Sequence, residues 1–139
     1  MIDFHLDTRS GVSPYQQLVQ QVRQALRLGM LSKDDQLPTV KEVVSKLAIN
    51  PNTVLKAYRE LEHEGLVTAR PGVGTFVTRT LTDGSLAAHE PLRRELQTWL
   101  ANARRAGLDA DSIEALFTTT FRSTLRTTAE AQKTEEVRK

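Results

Sequence analysis

The stretch Asn50 to Glu62, NPNTVLKAYRELE, constrains this chain more than any other, because its local signals all specify one structure, a helix. Asn50 can cap the first free backbone N–H groups, and Pro51 follows at the position where a missing N–H costs nothing. Val54, Ala57, Tyr58 and Leu61 recur at i, i+3, i+4 and i+7 as one apolar stripe, while Asn52, Thr53, Lys56 and Arg59 fall outside it. One side is built to be buried and the other to meet solvent or a ligand. No carboxylate occurs between Glu42 and Glu60, so Lys46, Lys56 and Arg59 stand unopposed and predict a locally positive surface. On this helix alone, two cations fit a solvated face as well as a nucleic-acid surface.

The flanking segments shift that balance. Residues 1–12 read as an extended lead-in or arm, with Ile2, Phe4 and Leu6 alternating against Asp3, His5 and Asp7. Ser13-Pro14-Tyr15-Gln16 opens a helix with an N-cap and a capping-box Gln, and its stripe of Tyr15, Leu18, Val19, Val22, Ala25 and Leu26 runs to about Gly29. The Gln-rich opposite side is expected in solvent. A polar connector, 32–36, leads to Leu37-Pro38 and the capping box Thr39-Val40-Lys41-Glu42, which starts a short helix ending at Leu47. The gap from Leu47 to Asn50 is the tight turn of a helix-turn-helix. Beyond the central helix, Gly65 supplies a left-handed stop. Residues 66–70 and 75–78 then flank Pro71-Gly72-Val73-Gly74 as a β-hairpin with a glycine-rich tip. A hairpin in that place is a wing, and its glycines let backbone approach a phosphate without a Cβ in the way.

The composition changes after the hairpin. Residues 80–89, with Gly84 and Ser85, read as a linker. Leu92, Leu96, Trp99, Leu100, Ala103 and Ala106 then recur at helical spacing and stop at Gly107. A second helix opens after Asp109 with the stripe Ile113, Leu116, Phe117, Phe121 and Leu125. Two amphipathic helices cannot bury both faces alone, so they are expected to pack on the winged domain or on a second copy of the chain; the second copy is preferred, through Leu92, Leu96, Trp99, Ala103, Ile113, Leu116, Phe117 and Phe121. The Arg93-Arg94 and Arg104-Arg105 pairs, interleaved with acidic residues, read as a solvated face.

Composition excludes several chemistries. With 139 residues and 39% apolar content, the chain can bury one modest core plus an appendage. There is no Cys, and His5, His63 and His89 lack ligand spacing, so no metal or cofactor site is expected. No Cys nucleophile, His–carboxylate pair or phosphate loop assembles, so no enzyme is expected either. No apolar run spans a membrane and no signal peptide is visible, which predicts a cytoplasmic protein without a membrane partner. A net charge of +2 permits nucleic-acid binding without requiring it.

The segment LPTVKEVVSKLAINPNTVLKAYRELEHEGLVTARPGVGTFV resembles the winged helix-turn-helix domain of GntR-family bacterial transcription regulators, and the likeness extends back through the helix at Pro14. The INPNTVLKAYRELEHEGL motif, the GVGTFV ending and the short two-helix tail are most similar to the YtrA subfamily. The resemblance implies a homodimer that represses from a roughly palindromic double-stranded DNA operator, often in its own operon alongside a transporter. It carries DNA contacts over to Lys41, Asn50, Asn52, Thr53, Lys56, Arg70 and Gly72; Arg59 joins them from the charge pattern. Lys41 stands where the family usually has Arg, giving a point charge in place of a bidentate fork.

The expectation is thus a mainly α chain with a small β-hairpin. A winged helix-turn-helix domain occupies 1–79, a linker 80–89, a helical dimerisation segment 90–128 and a frayed tail 129–139. Paired tail helices would set two recognition helices in successive major-groove segments about 34 Å apart. A small-molecule effector of unknown kind would find room around Trp99 and Phe121, although aromatic residues at helical spacing more often form core. The rival from another class is a winged helix used for protein interaction, which calls for a carboxylate on the recognition face that Asn52, Thr53 and Lys56 do not supply.

Overall fold

The structure, a computed structural model, describes residues 2–81 and 86–138. Within them the order is α1 (Pro14–Arg27), α2 (Val40–Leu47), α3 (Pro51–His63), β1 (Val67–Arg70), β2 (Gly74–Val77), α4 (Leu86–Arg105) and α5 (Ala110–Arg138). It is mainly helical with one antiparallel hairpin, as expected. Contacts divide the chain into two compact units, Met1–Glu90 and Pro91–Lys139.

In the first unit α1 and α2 both pack on α3, which leads directly into β1. The apolar stripes close one core around Leu18, Val22, Leu26, Val54, Leu61, Leu66 and Val77. The caps act as their residue types predict. Thr39 Oγ1 accepts from Glu42 N at 3.1 Å, and Asn50 Oδ1 accepts from Asn52 N at 2.8 Å. Between these two helices Ala48 takes a left-handed conformation, φ 53°, to make the turn. Ser13 behaves differently. It holds the N-cap position of α1, yet its hydroxyl is buried and has no hydrogen-bond partner among the described residues. Pro14, without an N–H, leaves that turn one donor fewer to cap.

Two features here depart from expectation. The Gln side of α1 is not all in solvent, because Gln17 is buried and clamps the arm in both directions. Its Oε1 accepts from Asp7 N at 2.8 Å, and its Nε2 donates to the carbonyls of Asp7 and Val12, each at 2.9 Å. Gln21 repeats the clamp one turn on, with Oε1 accepting from His5 N and Nε2 donating to His5 O. Spacing of four puts both amides on one side of α1, where a single chain segment can lie across them. Phe4, on the same arm, is buried in the core and shares a pocket with Pro38, Val43 and Leu47. The connector also does more than connect: Leu37 N bonds Thr75 O at 2.8 Å and Val77 N bonds Asp35 O at 2.8 Å, so 34–37 flank β2 on its free edge. Pairing this edge satisfies backbone groups that the two-stranded wing alone would leave open.

The second unit shows a different economy. Gly107 (φ 94°) turns the chain between α4 and α5, and Asp109 Oδ1 accepts from Ser112 N at 2.8 Å at the start of α5. Hydrogen bonding from Ser112, its hydroxyl first and its N–H second, holds the Asp109 carboxyl below its ordinary pKa. Trp99 meets Phe117 with centroids 6.5 Å apart, and Phe117 stacks on Phe121 at 5.9 Å. Among the described side chains of 91–133, only Ala103 is buried.

Two boundaries are corrected. Residues 82–85 of the expected linker lie outside the described residues, and 86–89 are already helix. Leu86-Ala87-Ala88 favour helix strongly enough to extend it ahead of Pro91, which forfeits only one i→i−4 bond. The expected frayed tail, 129–138 as far as described, instead continues α5. The threonines that lower helix propensity turn their hydroxyls onto the preceding turn: Thr127 Oγ1 bonds Ser123 O and Thr128 Oγ1 bonds Thr124 O, both at 3.0 Å. The alanines, glutamates and lysine that follow are good helix formers.

Candidate nucleic-acid interface

The expected site residues all lie in the first unit, and seven of the eight are exposed: Lys41, Asn50, Asn52, Lys56, Arg59, Arg70 and Gly72. Thr53 is half-buried. On α3 the division of labour is clean. Val54, Ala57, Tyr58 and Leu61 are buried, while Asn52, Lys56 and Arg59, at i, i+4 and i+7, form one outward row. Tyr58 anchors this helix from behind, its hydroxyl donating to Pro38 O at 2.6 Å. Burial, with Glu42's charge second, holds the Tyr58 phenol far above its ordinary pKa.

Asn50 is committed twice over. Its side-chain Oδ1 accepts from Asn52 N and its backbone carbonyl from Thr53 N, so only its amide NH2 is left to donate to a ligand. At the wing tip, Gly72 has φ +75° and open space around an added Cβ, so glycine is needed there for backbone conformation more than for room. Gly74 likewise has a positive φ, +146°, and a Cβ there would in addition stand 2.5 Å from Gln36 Nε2, the movable end of that side chain.

The electrostatics differ from the sequence reading at one residue. Lys46 is not unopposed: it is paired with Asp3, because docking of the arm brings that carboxylate to α2. Arg23 on α1 is likewise taken by Glu64 in a two-point contact, with Glu60 at 4.0 Å, which raises the Arg23 pKa. Among the described residues, Lys56 and Arg70 are held without a carboxylate. Lys56 Nζ lies 3.9 Å from the centroid of the Tyr15 ring, and Arg70 Cζ lies 4.5 Å from that of Phe76. Sequence reasoning placed Tyr15 in the core stripe and assigned Phe76 nothing. The hairpin register could have found Phe76: Arg70 pairs with Gly74, and a residue two further along the partner strand shares its face. Nothing local links Tyr15 to Lys56.

The described residues hold no group of His, Cys, Asp and Glu suited to a metal, and no described helix is long and apolar enough to cross a membrane. The arrangement offers amide groups on a capped helix, cations beside it and a wing whose tip carries glycine. It can donate hydrogen bonds and neutralise an anionic polymer.

Comparison with known proteins agrees with this geometry. The family model for bacterial regulatory proteins of the gntR family matches residues 14–77. The HTH-type transcriptional repressor YtrA of Bacillus subtilis is 32% identical over 112 residues, covering 78% of this chain and 84% of that protein. A structure described as a transcriptional antiterminator from Listeria monocytogenes EGD-e superposes with a TM-score of 0.54 at 28% identity, over 86% of this chain and 90% of the other. YtrA from Sulfolobus acidocaldarius, described as a GntR-family transcription factor, has a TM-score of 0.50 at 24% identity, over 86% and 97%, a likeness of fold.

Proposed function

This chain belongs to the gntR family of bacterial regulatory proteins, in its YtrA-like branch, and on that premise we propose that it is a homodimeric repressor acting on a palindromic operator. Membership makes it a DNA-binding transcription regulator and not an enzyme. Repression is the function its Bacillus relative is named for. The observation that carries the DNA-contact reading is the outward row of α3, where Asn52, Lys56 and Arg59 are exposed on a rigidly capped helix with no carboxylate from 43 to 59. In this reading α3 enters the major groove, with Asn52 and the Asn50 amide near base edges. Lys41, Lys56, Arg59 and Arg70 meet phosphates, and Gly72 lets the wing backbone approach the duplex. Repression follows from occluding a promoter, that of the chain's own operon included.

The second unit supports the dimer. Leu92 is 66% exposed, and Phe121 and Leu125 each 53%; Leu96, Leu116 and Phe117 are also open to solvent. An open apolar groove of about 410 Å³ runs between α4 and α5, lined by Leu96, Leu100, Ile113 and Phe117. So much contiguous apolar surface calls for a partner, and a second copy supplies a matching one.

The test is selection of duplexes from a random library by the purified chain, followed by fluorescence anisotropy across a salt series. The expected product is an inverted repeat with half-sites about one helical turn apart. Four phosphate-contacting cations per protomer, eight per dimer, predict a slope of log K against log salt of about −7. Enrichment of nothing, or equal binding to selected and scrambled duplexes, overturns the proposal.

A further inference from the structure

We propose that Tyr15 and Phe76 are positioning residues for DNA binding, their rings seating Lys56 and Arg70 where each meets a phosphate. The inference rests on the assignment of those two cations to DNA. It begins from a contrast among the cations of the first unit. Lys46 and Arg23 are held by carboxylates, so each offers an approaching phosphate a nearly neutral pair. Lys56 and Arg70 are exposed, and among the described residues neither has a carboxylate partner; each lies over an aromatic face, at 3.9 Å and 4.5 Å. A ring attracts a cation through its quadrupole and carries no net charge, so it fixes the position and leaves the positive charge whole. A carboxylate would fix the position and cancel the charge.

The seats come from outside the recognition helix. Tyr15 belongs to the first turn of α1, and its half-buried ring packs against the core, which makes it a rigid platform. Phe76 lies on β2, braced by the pairing of β2 with both β1 and Gln36. Lysine and arginine have many rotamers, and a free side chain must surrender them when it binds. Here part of that ordering is done on folding. The N–H groups that face away from each ring stay available as donors to a phosphate.

The test uses a duplex that the wild-type chain has itself enriched from a random library. Tyr15→Leu and Phe76→Leu should each weaken binding about two- to fivefold by anisotropy, with Tyr15→Phe restoring it because the ring returns. In a Lys56→Ala background Tyr15→Leu should cost nothing further, and in an Arg70→Ala background the same holds for Phe76→Leu. Unchanged affinity in the single leucine variants, or the same loss with and without the cation, overturns the role. Because Tyr15 touches the core, a second arm uses the unaltered chain without DNA: the Lys56 ε-methylene protons should resonate upfield under the Tyr15 ring current. Resonances at the free-lysine position overturn the seat. A wild-type chain that enriches no duplex removes the DNA contacts and the role with them, whereas failure of the seat alone leaves duplex selection intact.

Discussion

Tyr58 links the buried face of α3 to Pro38, two residues ahead of α2, and replacing it by phenylalanine isolates one hydrogen bond. Its side chain is 6% exposed, and its hydroxyl donates to Pro38 O at 2.6 Å. Tyr58→Phe leaves that buried carbonyl without its donor, at a cost of about 1–2 kcal/mol at pH 8. The second effect depends on pH. Burial first, and Glu42 second, raise the folded pKa of Tyr58 well above its ordinary value of 10.0. Above pH 10 the unfolded chain has lost the phenolic proton while the folded chain keeps it, so the unfolded state binds fewer protons and stability falls as pH rises. The Tyr58 contribution is whole below pH 10 and is lost as pH climbs toward the folded pKa. At pH 11 the loss is about 1.4 kcal/mol. The phenylalanine variant has no such proton, so the wild-type advantage at pH 8 should shrink by that amount at pH 11 and nearly vanish. Contributions common to the two proteins cancel in the difference. Urea unfolding followed by far-UV circular dichroism at the two pH values measures it. Equal midpoints at pH 8, or a gap that stays the same at pH 11, would refute the reasoning.

Three further outcomes are expected. Gln17→Leu should cost about 2 kcal/mol in urea unfolding and speed amide exchange at Asp7, because Asp7 N–H and the Asp7 and Val12 carbonyls lose their partner; exchange at the wild-type rate would mean the clamp does not hold the arm. Ala48→Gly should raise stability by up to about 1 kcal/mol, since relief of the left-handed strain at φ 53° outweighs the added chain entropy; a lowered melting temperature contradicts this. In light scattering the wild-type chain should have the mass of two 15.6 kDa copies and Phe117→Glu that of one, with the circular dichroism of the winged unit retained; a wild-type monomer ends the dimer proposal.

What the sequence determined by itself was the set of elements whose signals are local. The α2 bounds, the Asn50 cap and Pro51 start of α3, the wing hairpin and the opening of α5 after Asp109 all appear as read, because caps, turns and 3.6-residue stripes act over about four residues. The same locality made the outward row of Asn52, Lys56 and Arg59 legible as a candidate site. Only the tertiary structure decided which partners these elements meet. It gave Lys46 to Asp3, turned Gln17 inward onto the arm, set 34–37 along β2 and placed rings beneath Lys56 and Arg70. The α4 start and the length of α5 differ from the expectation for a related reason: neighbouring helix formers carry α4 ahead of Pro91, and hydroxyl back-bonds help carry α5 through its threonines. Charge, ring and amide partners lie far apart along the chain and become neighbours only when one core closes. Spacing could therefore name the residues that face outward, while the packing of α1, α3 and the wing settled which of their charges stay whole.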